Sequence, residues 1–447
     1  MSDDISKLSK KAVKIVLSLP KSTRIRVVSH YDADGITAAG IICNALYREG
    51  YDFHATLMRN PFDKGLERLS KEENELIIFS DMGSGQIETI EKLGCNVIIF
   101  DHHQYLKSEV GRNVLQINAN LCGIDGNYEA SGATLSSLFA KILNVDNEDL
   151  SSLALAGVIG DKQHIGGIRG LNKEILVNSL KKGFLKEQMG IKLYGDSIFD
   201  ALYFSIDPYY KSFSGNKDEI ERILGRINID KNQKIEDIDK DKLIRLQSFL
   251  LFKLIKAGCQ NNILDVAISK RYFSKSLGCE LERYADLIDA CGKNGYRSLG
   301  LSICLGDINA FEEAKSVEKD YKQKILNYLI ELEEGKTREA EGMRYFYSDS
   351  SSLGGVVAGI AINYILDEKK PLFSIAKKED EIHVSCRGNQ KLVKEGLDLG
   401  DAMKKVTSEL GAYGGGHKIA AGATITSEKE KEFLEKVDKI LVQQLKG

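Results

Sequence analysis

No two of the eight cysteines form a Cys-x-x-Cys pair. Cys43, Cys95, Cys122, Cys259, Cys279, Cys291, Cys304 and Cys386 are scattered, several inside apolar runs such as Ile41-Ile42-Cys43 and Ser302-Ile303-Cys304. That spacing argues against a zinc ribbon or a disulfide framework and for reduced, buried thiols in a cytosolic chain. No stretch approaches the roughly 18 consecutive apolar residues of a membrane span. The opening MSDDISKLSKKAV also lacks the uninterrupted apolar core of a signal peptide, so a cytoplasmic protein with no membrane partner is expected. An excess of one charge is missing too: 62 Lys and Arg face 65 Asp and Glu, a formal net charge of -3. Any contact with nucleic acid must therefore use a local patch or bound metal rather than a global field. Short-period repeats and low-complexity tracts are absent.

What is present is enough for more than one core. A chain of 447 residues, 43% apolar and 28% charged, is expected to fold as two or three domains. After an N-terminal helix over residues 1–20, short apolar strands are expected at Ile25–Ser29, Glu75–Ser80, Asn96–Phe100 and Val114–Ile117. Helical segments lie between them at Gly35–Glu49 and Gly85–Leu93, and two more follow at Ser131–Ile142 and Leu150–Gly160. This alternation predicts an α/β domain with a mostly parallel sheet over 1–190, whose ligands bind beyond the carboxyl ends of the strands. A helical connector is expected over 191–261, and a central segment of open role, a possible insertion, over 262–342, with strands at Ile263–Ile268 and Leu299–Cys304 and a charged helix at Ala310–Glu334. A smaller α/β module over 343–447 carries strands at Met343–Tyr347, Leu372–Ala376 and Ile382–Ser385 and a glycine-rich loop at 414–416.

Chemistry-bearing residues collect where apolar strands stop. In VVSHYDADG, His30, Asp32 and Asp34 precede a helix-opening Gly35. Two acids two apart, spread by a turn, suit a pair of metal ions; the same residues also suit a helix N-cap. ELIIFSDMGSG ends its strand on Asp81, and NVIIFDHHQY on Asp101-His102-His103. Adjacent imidazoles point in different directions, so one can bind metal while the other meets substrate and the aspartate orients the turn. ALAGVIGDKQH follows a helix of small residues with Asp161. Singly, each reads equally as a turn or a cap. Their recurrence at three strand ends and one helix end is the informative signal.

The series Asp32-Ala33-Asp34-Gly35, Asp81, Asp101-His102-His103 and Gly160-Asp161 resembles, in that order, the motifs of the DHH phosphoesterase superfamily. Gly355-Val356-Val357-Ala358-Gly359, Ser385-Cys386-Arg387 and Gly414-Gly415-Gly416-His417-Lys418-Ile419-Ala420-Ala421-Gly422 resemble the DHH-associated domain of RecJ-like nucleases. The resemblance implies a catalytic set of Asp32, Asp34, Asp81, His102, His103 and Asp161. His30, Asp32 and Asp81 would hold one metal, and Asp34, Asp81, His102 and Asp161 the other, with Asp81 shared. Where the bacterial RecJ pattern has Asp, this chain has His30, as other branches do. His103, Ser385, Arg387, Gly414, Gly415, Gly416 and His417 would contact substrate phosphates, the glycines through their backbone N–H groups. Mixed carboxylate and imidazole donors suit two Mn²⁺ ions, with Mg²⁺ as competitor.

The implied activity is exonucleolytic hydrolysis of single-stranded DNA or RNA in replication or repair. The full length is similar to archaeal RecJ-like exonucleases, some of which associate with the replication factor GINS. Tyr209, Tyr210 and Phe213 are candidates for stacking bases. Two other readings stay open: a phosphodiesterase of short oligonucleotides or cyclic dinucleotides, and a non-catalytic, GINS-binding replisome scaffold. A family pyrophosphatase fits the metal motifs but not the Ser-x-Arg and Gly-Gly-Gly-His pair.

Overall fold

The computed structural model describes residues 2–59, 64–259, 263–264 and 268–446. Those residues form two compact units, one of residues 1–190 with 270–318 and the other of 191–269 with 319–447. The central segment of open role thus divides between them.

In the first unit, the β-branched runs become a five-stranded, fully parallel sheet: β1 (Ile25–His30), β2 (Phe53–Met58), β3 (Leu76–Ser80), β4 (Asn96–Asp101) and β5 (Val114–Asn118), in the order β2-β1-β3-β4-β5. Every residue of β3 is buried, as expected for a central parallel strand covered on both faces. One cover is the helices Ser2–Leu17, Ala33–Arg48 and Gly132–Leu143, packed through Ile5, Val16, Ile41, Ile42 and Phe139. The other is a smaller cluster around Val28, Ile77, Phe79, Ile87 and Ile99. Strand β2 was not expected from the sequence. It is an edge strand carrying His54 and Thr56, and it is only half covered.

The order reverses between β1 and β3, where β1 continues to β2 on one side while β3 to β5 build outward on the other. In an open parallel sheet, that reversal leaves a crevice at the strands' carboxyl ends. His30 closes β1 and Asp81 follows β3, so both stand at the crevice. A small three-stranded sheet, β6 (Leu185–Ile191), β7 (Ile268–Ser274) and β8 (Cys279–Glu280), lies later in the chain. Of the strand expected at Ile263–Ile268, 263–264 are helical, Ile268 opens β7, and 265–267 lie outside the described residues.

The strand expected at Leu299–Cys304 is instead a helix, Arg297–Cys304. Its apolar residues are satisfied by packing one helical face against the helix Ala33–Arg48, with Gly300 next to Ile36. That contact is close enough that a Cβ on Gly40 would collide with the Cβ of Cys304.

The second unit holds a six-stranded sheet in the order β13-β14-β12-β11-β10-β9, made from β9 (Arg338–Glu339), β10 (Arg344–Tyr347), β11 (Leu372–Lys378), β12 (Glu381–Arg387), β13 (Tyr413–Gly416) and β14 (Ala420–Thr426). Helices Leu399–Glu409 and Glu430–Lys446 cover one face through Met403, Val406, Phe433 and Val437. The glycine run is therefore an edge strand rather than a loop: Gly414, Gly415 and Gly416 pair with Ala423, Gly422 and Ala421. Glycines in a strand allow close backbone approach, and the β14 partners are themselves small. Tyr209, Tyr210 and Phe213 are fully buried, and the Tyr209 hydroxyl donates to Glu333 at 2.7 Å. They pack the interior and present no face on which a base could stack.

Because the Gly40 contact is backbone-close, Gly40→Val should lower the unfolding free energy by about 1–3 kcal/mol through overpacking. Urea denaturation would measure it, and a shift under about 0.5 kcal/mol would contradict the contact.

Candidate metal centre at the sheet's switch point

Each acidic or imidazole group leaves the end of a regular element and turns back into the crevice. His30 Nδ1 lies 2.8 Å from Asp32 Oδ2 and 3.4 Å from Asp81 Oδ2. Asp32 is the N-cap of helix 33–48, its Oδ1 accepting the Gly35 N–H at 3.1 Å, and its Oδ2 faces His30, where it could also serve a cation. Asp34, 2% exposed, accepts from Ser131 Oγ (2.7 Å), Gly132 N–H (2.7 Å) and Ala133 N–H (3.0 Å). Those donors start the helix Gly132–Leu143, whose positive end suits a carboxylate.

Asp81 has φ 56°, in the left-handed region. The conformation is costly for most residues but within reach of Asp and Asn, and strain of this kind gathers at functional sites. From there the carboxylate faces two imidazoles, with Oδ2 toward His30 and Oδ1 3.0 Å from His102 Nε2. His102 Nδ1 lies 2.6 Å from the Gly126 carbonyl. That carbonyl can only accept, so Nδ1 carries the proton and Nε2 faces Asp81, Asp34 (3.7 Å) and Asp161 (3.8 Å). Asp161 accepts from Gln163 Nε2 at 2.7 Å. Asp101 is engaged otherwise: it accepts from the backbone N–H groups of Ser84, His102 and His103 and from His103 Nδ1 at 2.8 Å. It shapes the turn, and half-exposed His103 stands at the rim.

Glycines make the convergence possible. A Cβ on Gly132 would sit 2.6 Å from Asp81 Cβ, and one on Gly157 would sit 2.7 Å from Asp34 Oδ1. In the small-residue helix Ser151–Gly160, Gly157 thus makes room for Thr37, Ala133 and the Asp34 carboxylate, and Gly160 for Ala33.

The charges show what the site lacks. Burial, then the charge of Asp81, pushes the Asp34 carboxyl well above its usual range, against the pull of His102. Burial, with Asp81 and Asp32 also raising it, lifts Asp161 to about 6. Burial opposes a charge on Asp81 as well, but hydrogen bonds from His102 and His30 hold it well below the ordinary carboxylate range. The two histidines are raised well above theirs, since their carboxylate neighbours outweigh the burial that would lower them. This donor set calls for positive charge, which protons on the imidazoles or a divalent cation can supply. His30, Asp32 and Asp81 form one group whose donor atoms lie within 4.8 Å of one another; Asp34, His102 and Asp161 form a second, and Asp81, His102 and His103 a third. The residues fit a metal ion, since Nε2 of His102 is oriented by its Nδ1 bond in the manner of a metal-bound imidazole.

Comparison with known proteins agrees with this layout. The DHH family N-terminal domain profile matches residues 24–158, the DHHA1 domain 342–443 and Archaeal Cdc45 125–275. An uncharacterized protein of Methanocaldococcus jannaschii is 33% identical over 431 residues, 94% of each chain. The chain belongs to the DHH phosphoesterase superfamily. Among solved structures, the DHH protein resembles Thermus thermophilus RecJ in complex with Mn²⁺ (TM-score 0.61, 19% identity, 98% of this chain and 55% of that one). It also resembles exonuclease RecJ bound to manganese (0.60, 19%, 97% and 94%) and Entamoeba histolytica CDC45 (0.63, 14%, 99% and 98%). It thus spans about half the length of the Thermus chain, and at these identities the likeness is one of fold.

The DHHA1 unit gathers its own candidates. Arg387 ends β12 in register with Ala420, and Gly416 pairs with Ala421, so Arg387, Gly416 and His417 share one end of the sheet. Gly355 leaves room for the Arg387 guanidinium, whose Nη1 donates to Cys386 O at 2.9 Å. Among the described residues no carboxylate pairs with it, and burial lowers its pKa. Ser385 Oγ donates to Ser351 O at 3.1 Å. Sequence reasoning passed over Ser131, Gly132, Gly126 and Gln163, which orient Asp34, His102 and Asp161. The only trace was Ser131-Gly132-Ala133-Thr134 as a helix start.

Divalent ions should stabilise the protein through this cluster. Mn²⁺ at about a hundred times its dissociation constant should add about 2.7 kcal/mol, a rise of a few degrees in Tm. Asp81→Asn should abolish the rise. Gly157→Ala, a change that ordinarily favours a helix by roughly 0.5–1 kcal/mol, should remove most of it. Calorimetry with and without Mn²⁺ checks both variants.

Proposed function

We propose that this DHH protein is a two-metal exonuclease that hydrolyses phosphodiester bonds of single-stranded DNA or RNA in replication or repair. The supporting observation is that two groups of donors, one reached from each side of Asp81, converge at the switch point of the sheet. In this reading His30, Asp32 and Asp81 hold one ion, and Asp34, Asp81, His102 and Asp161 hold the other. Mixed nitrogen and oxygen donors favour Mn²⁺, with Mg²⁺ as competitor. Bound there, the ions supply an acidified water as nucleophile and positive charge for the leaving oxygen.

The chain's own residues do the rest. Gly126 fixes the His102 tautomer, and the helix N-terminus at Ser131–Ala133 holds the Asp34 carboxylate in place. His103 is lifted to about 9: burial would lower it, but the Asp101 hydrogen bond and the charge of Asp81 prevail. Half-exposed at the rim and held through Nδ1 by Asp101, it can meet a phosphate oxygen there. In the DHHA1 unit, Arg387, Ser385, His417 and the backbone of Gly414 to Gly416 are assigned to substrate phosphates. The support is a partly buried guanidinium with no anionic partner among the described residues.

A second reading rests on the Archaeal Cdc45 match over residues 125–275, in which the protein also serves as a replisome component bound to GINS. Capture of purified GINS by an inactive Asp81→Ala variant would support it.

With Mn²⁺, the purified protein should shorten end-labelled single strands, and a chelator should stop it. Asp34→Ala and His102→Ala should each slow digestion by at least about a hundredfold, since even residues behind metal ligands commonly cost 10–100-fold. Arg387→Ala should raise KM without weakening Mn²⁺ binding. Intact DNA and RNA, or ligand variants as fast as the parent, would overturn the nuclease assignment; cleavage confined to dinucleotides would favour a small-substrate phosphodiesterase.

A further inference from the structure

Two loops border the metal centre, and each holds one of its side chains in place. Loop 123–131 offers the Gly126 carbonyl to His102 Nδ1, and loop 161–169 contains Asp161 itself. A buried polar network clamps the two together. Gln163, 1% exposed, donates from Nε2 to Gly126 O (2.9 Å), Ala130 O (3.2 Å) and Asp161 Oδ2 (2.7 Å). Asn172, fully buried, donates to Gln163 Oε1 at 2.6 Å and accepts from Thr134 Oγ1 at 2.5 Å. The Asn172 backbone N–H donates to Glu129 O at 3.1 Å. Gly170, at φ +53°, passes so close to Glu129 that a Cβ there would collide with it. Buried networks satisfied in this way fix geometry, so whatever these loops display is held in register with His102 and Asp161.

What they display includes an exposed aromatic ring, Tyr128, and two cations, Lys162 and Arg169, of which Arg169 lies by the ring. Tyr128 is 50% exposed, and the Arg169 guanidinium carbon lies 5.7 Å from the centre of its ring. Arg169 is exposed, donates a long hydrogen bond to Gly166 O (3.4 Å), and has no carboxylate partner among the described residues. Arg26 and Arg48, in the same unit, are each paired with an acid. The metal centre is acidic and would repel a polyanion. An exposed ring with an unpaired guanidinium beside it offers a π-face and a positive charge to a nucleobase, whatever the sequence.

Resting on the nuclease reading above, we propose that Tyr128 and Arg169 form a nucleobase platform that positions the nucleotide next to the scissile phosphate. The two are positioning residues: they act on where the phosphate sits, and the groups around Asp81 act on the bond.

The test compares two single strands of equal length, one normal and one with abasic residues at the cleaved end, by KM and kcat and by fluorescence anisotropy. Stacking on an aromatic side chain is typically lost at roughly fivefold to a hundredfold in affinity. The parent should prefer the normal strand by that margin. In Tyr128→Ala the preference should collapse through KM, with Tyr128→Phe restoring it; Arg169→Lys should keep part of the affinity but lose the base preference. A parent that cleaves strands while Tyr128→Ala keeps the full preference would overturn the platform and leave the nuclease reading intact. A parent that binds strands with a Tyr128-dependent base preference yet cleaves none would overturn the nuclease reading and leave the platform standing. Equal affinity of the parent for both strands would overturn the platform.

Discussion

Negative charge gathered out of water is the constraint that the rest of the first unit answers. Asp34, Asp81 and Asp101 are each no more than 2% exposed, and Asp32 and Asp161 complete the ring. Two bare carboxylates 4 Å apart repel by about 4 kcal/mol at an effective dielectric constant near 20. That is comparable to the lower end of a whole domain's stability. The chain meets this cost in several ways at once. Imidazoles flank Asp81, the start of a helix receives Asp34, and three backbone N–H groups surround Asp101. What these leave over is the positive charge that a divalent ion would bring.

The sheet explains why so many acids can be brought together without wrecking the core. Parallel strands deliver their carboxyl ends to one edge, so His30, Asp81 and Asp101 arrive side by side while the apolar residues before them stay buried. The helices then complete the ring from the other direction, by glycines. Gly132 and Gly157 let backbone come within reach of Asp81 and Asp34. The apolar core and the acidic centre are therefore not rivals for the same residues. The apolar residues fill the body of each strand and the acidic or imidazole groups stand at its end.

The strands β1, β3, β4 and β5 were legible from their apolar runs, and the metal-ligand candidates because His30, Asp81 and His102 stand where such runs end and Asp32, Asp34 and Asp161 at helix ends. β2 was missed because an edge strand bearing His54 and Thr56 has the pattern of a loop. Leu299–Cys304 was misread because Leu299, Leu301 and Ile303 alternate with small residues as in a strand, and only the partner, the helix containing Gly40, selects the helix. The glycine run at 414–416 read as a loop because strand pairing there is supplied by β14, which no local signal announced. Gln163 and Asn172 were invisible for a different reason. Their importance lies in hydrogen bonds to carbonyls some 30 to 45 positions away, and sequence carries no periodic trace of such a link.

The backbone at Asp81 limits how this lineage could change. At φ 56°, a β-branched or bulky replacement would strain the turn that follows β3, whereas Asn and Gly could take the same conformation. Loss of the central carboxylate is thus compatible with an intact fold along only a narrow set of substitutions. A descendant that had abandoned chemistry and kept the scaffold would be expected to carry Asn or Gly at this position.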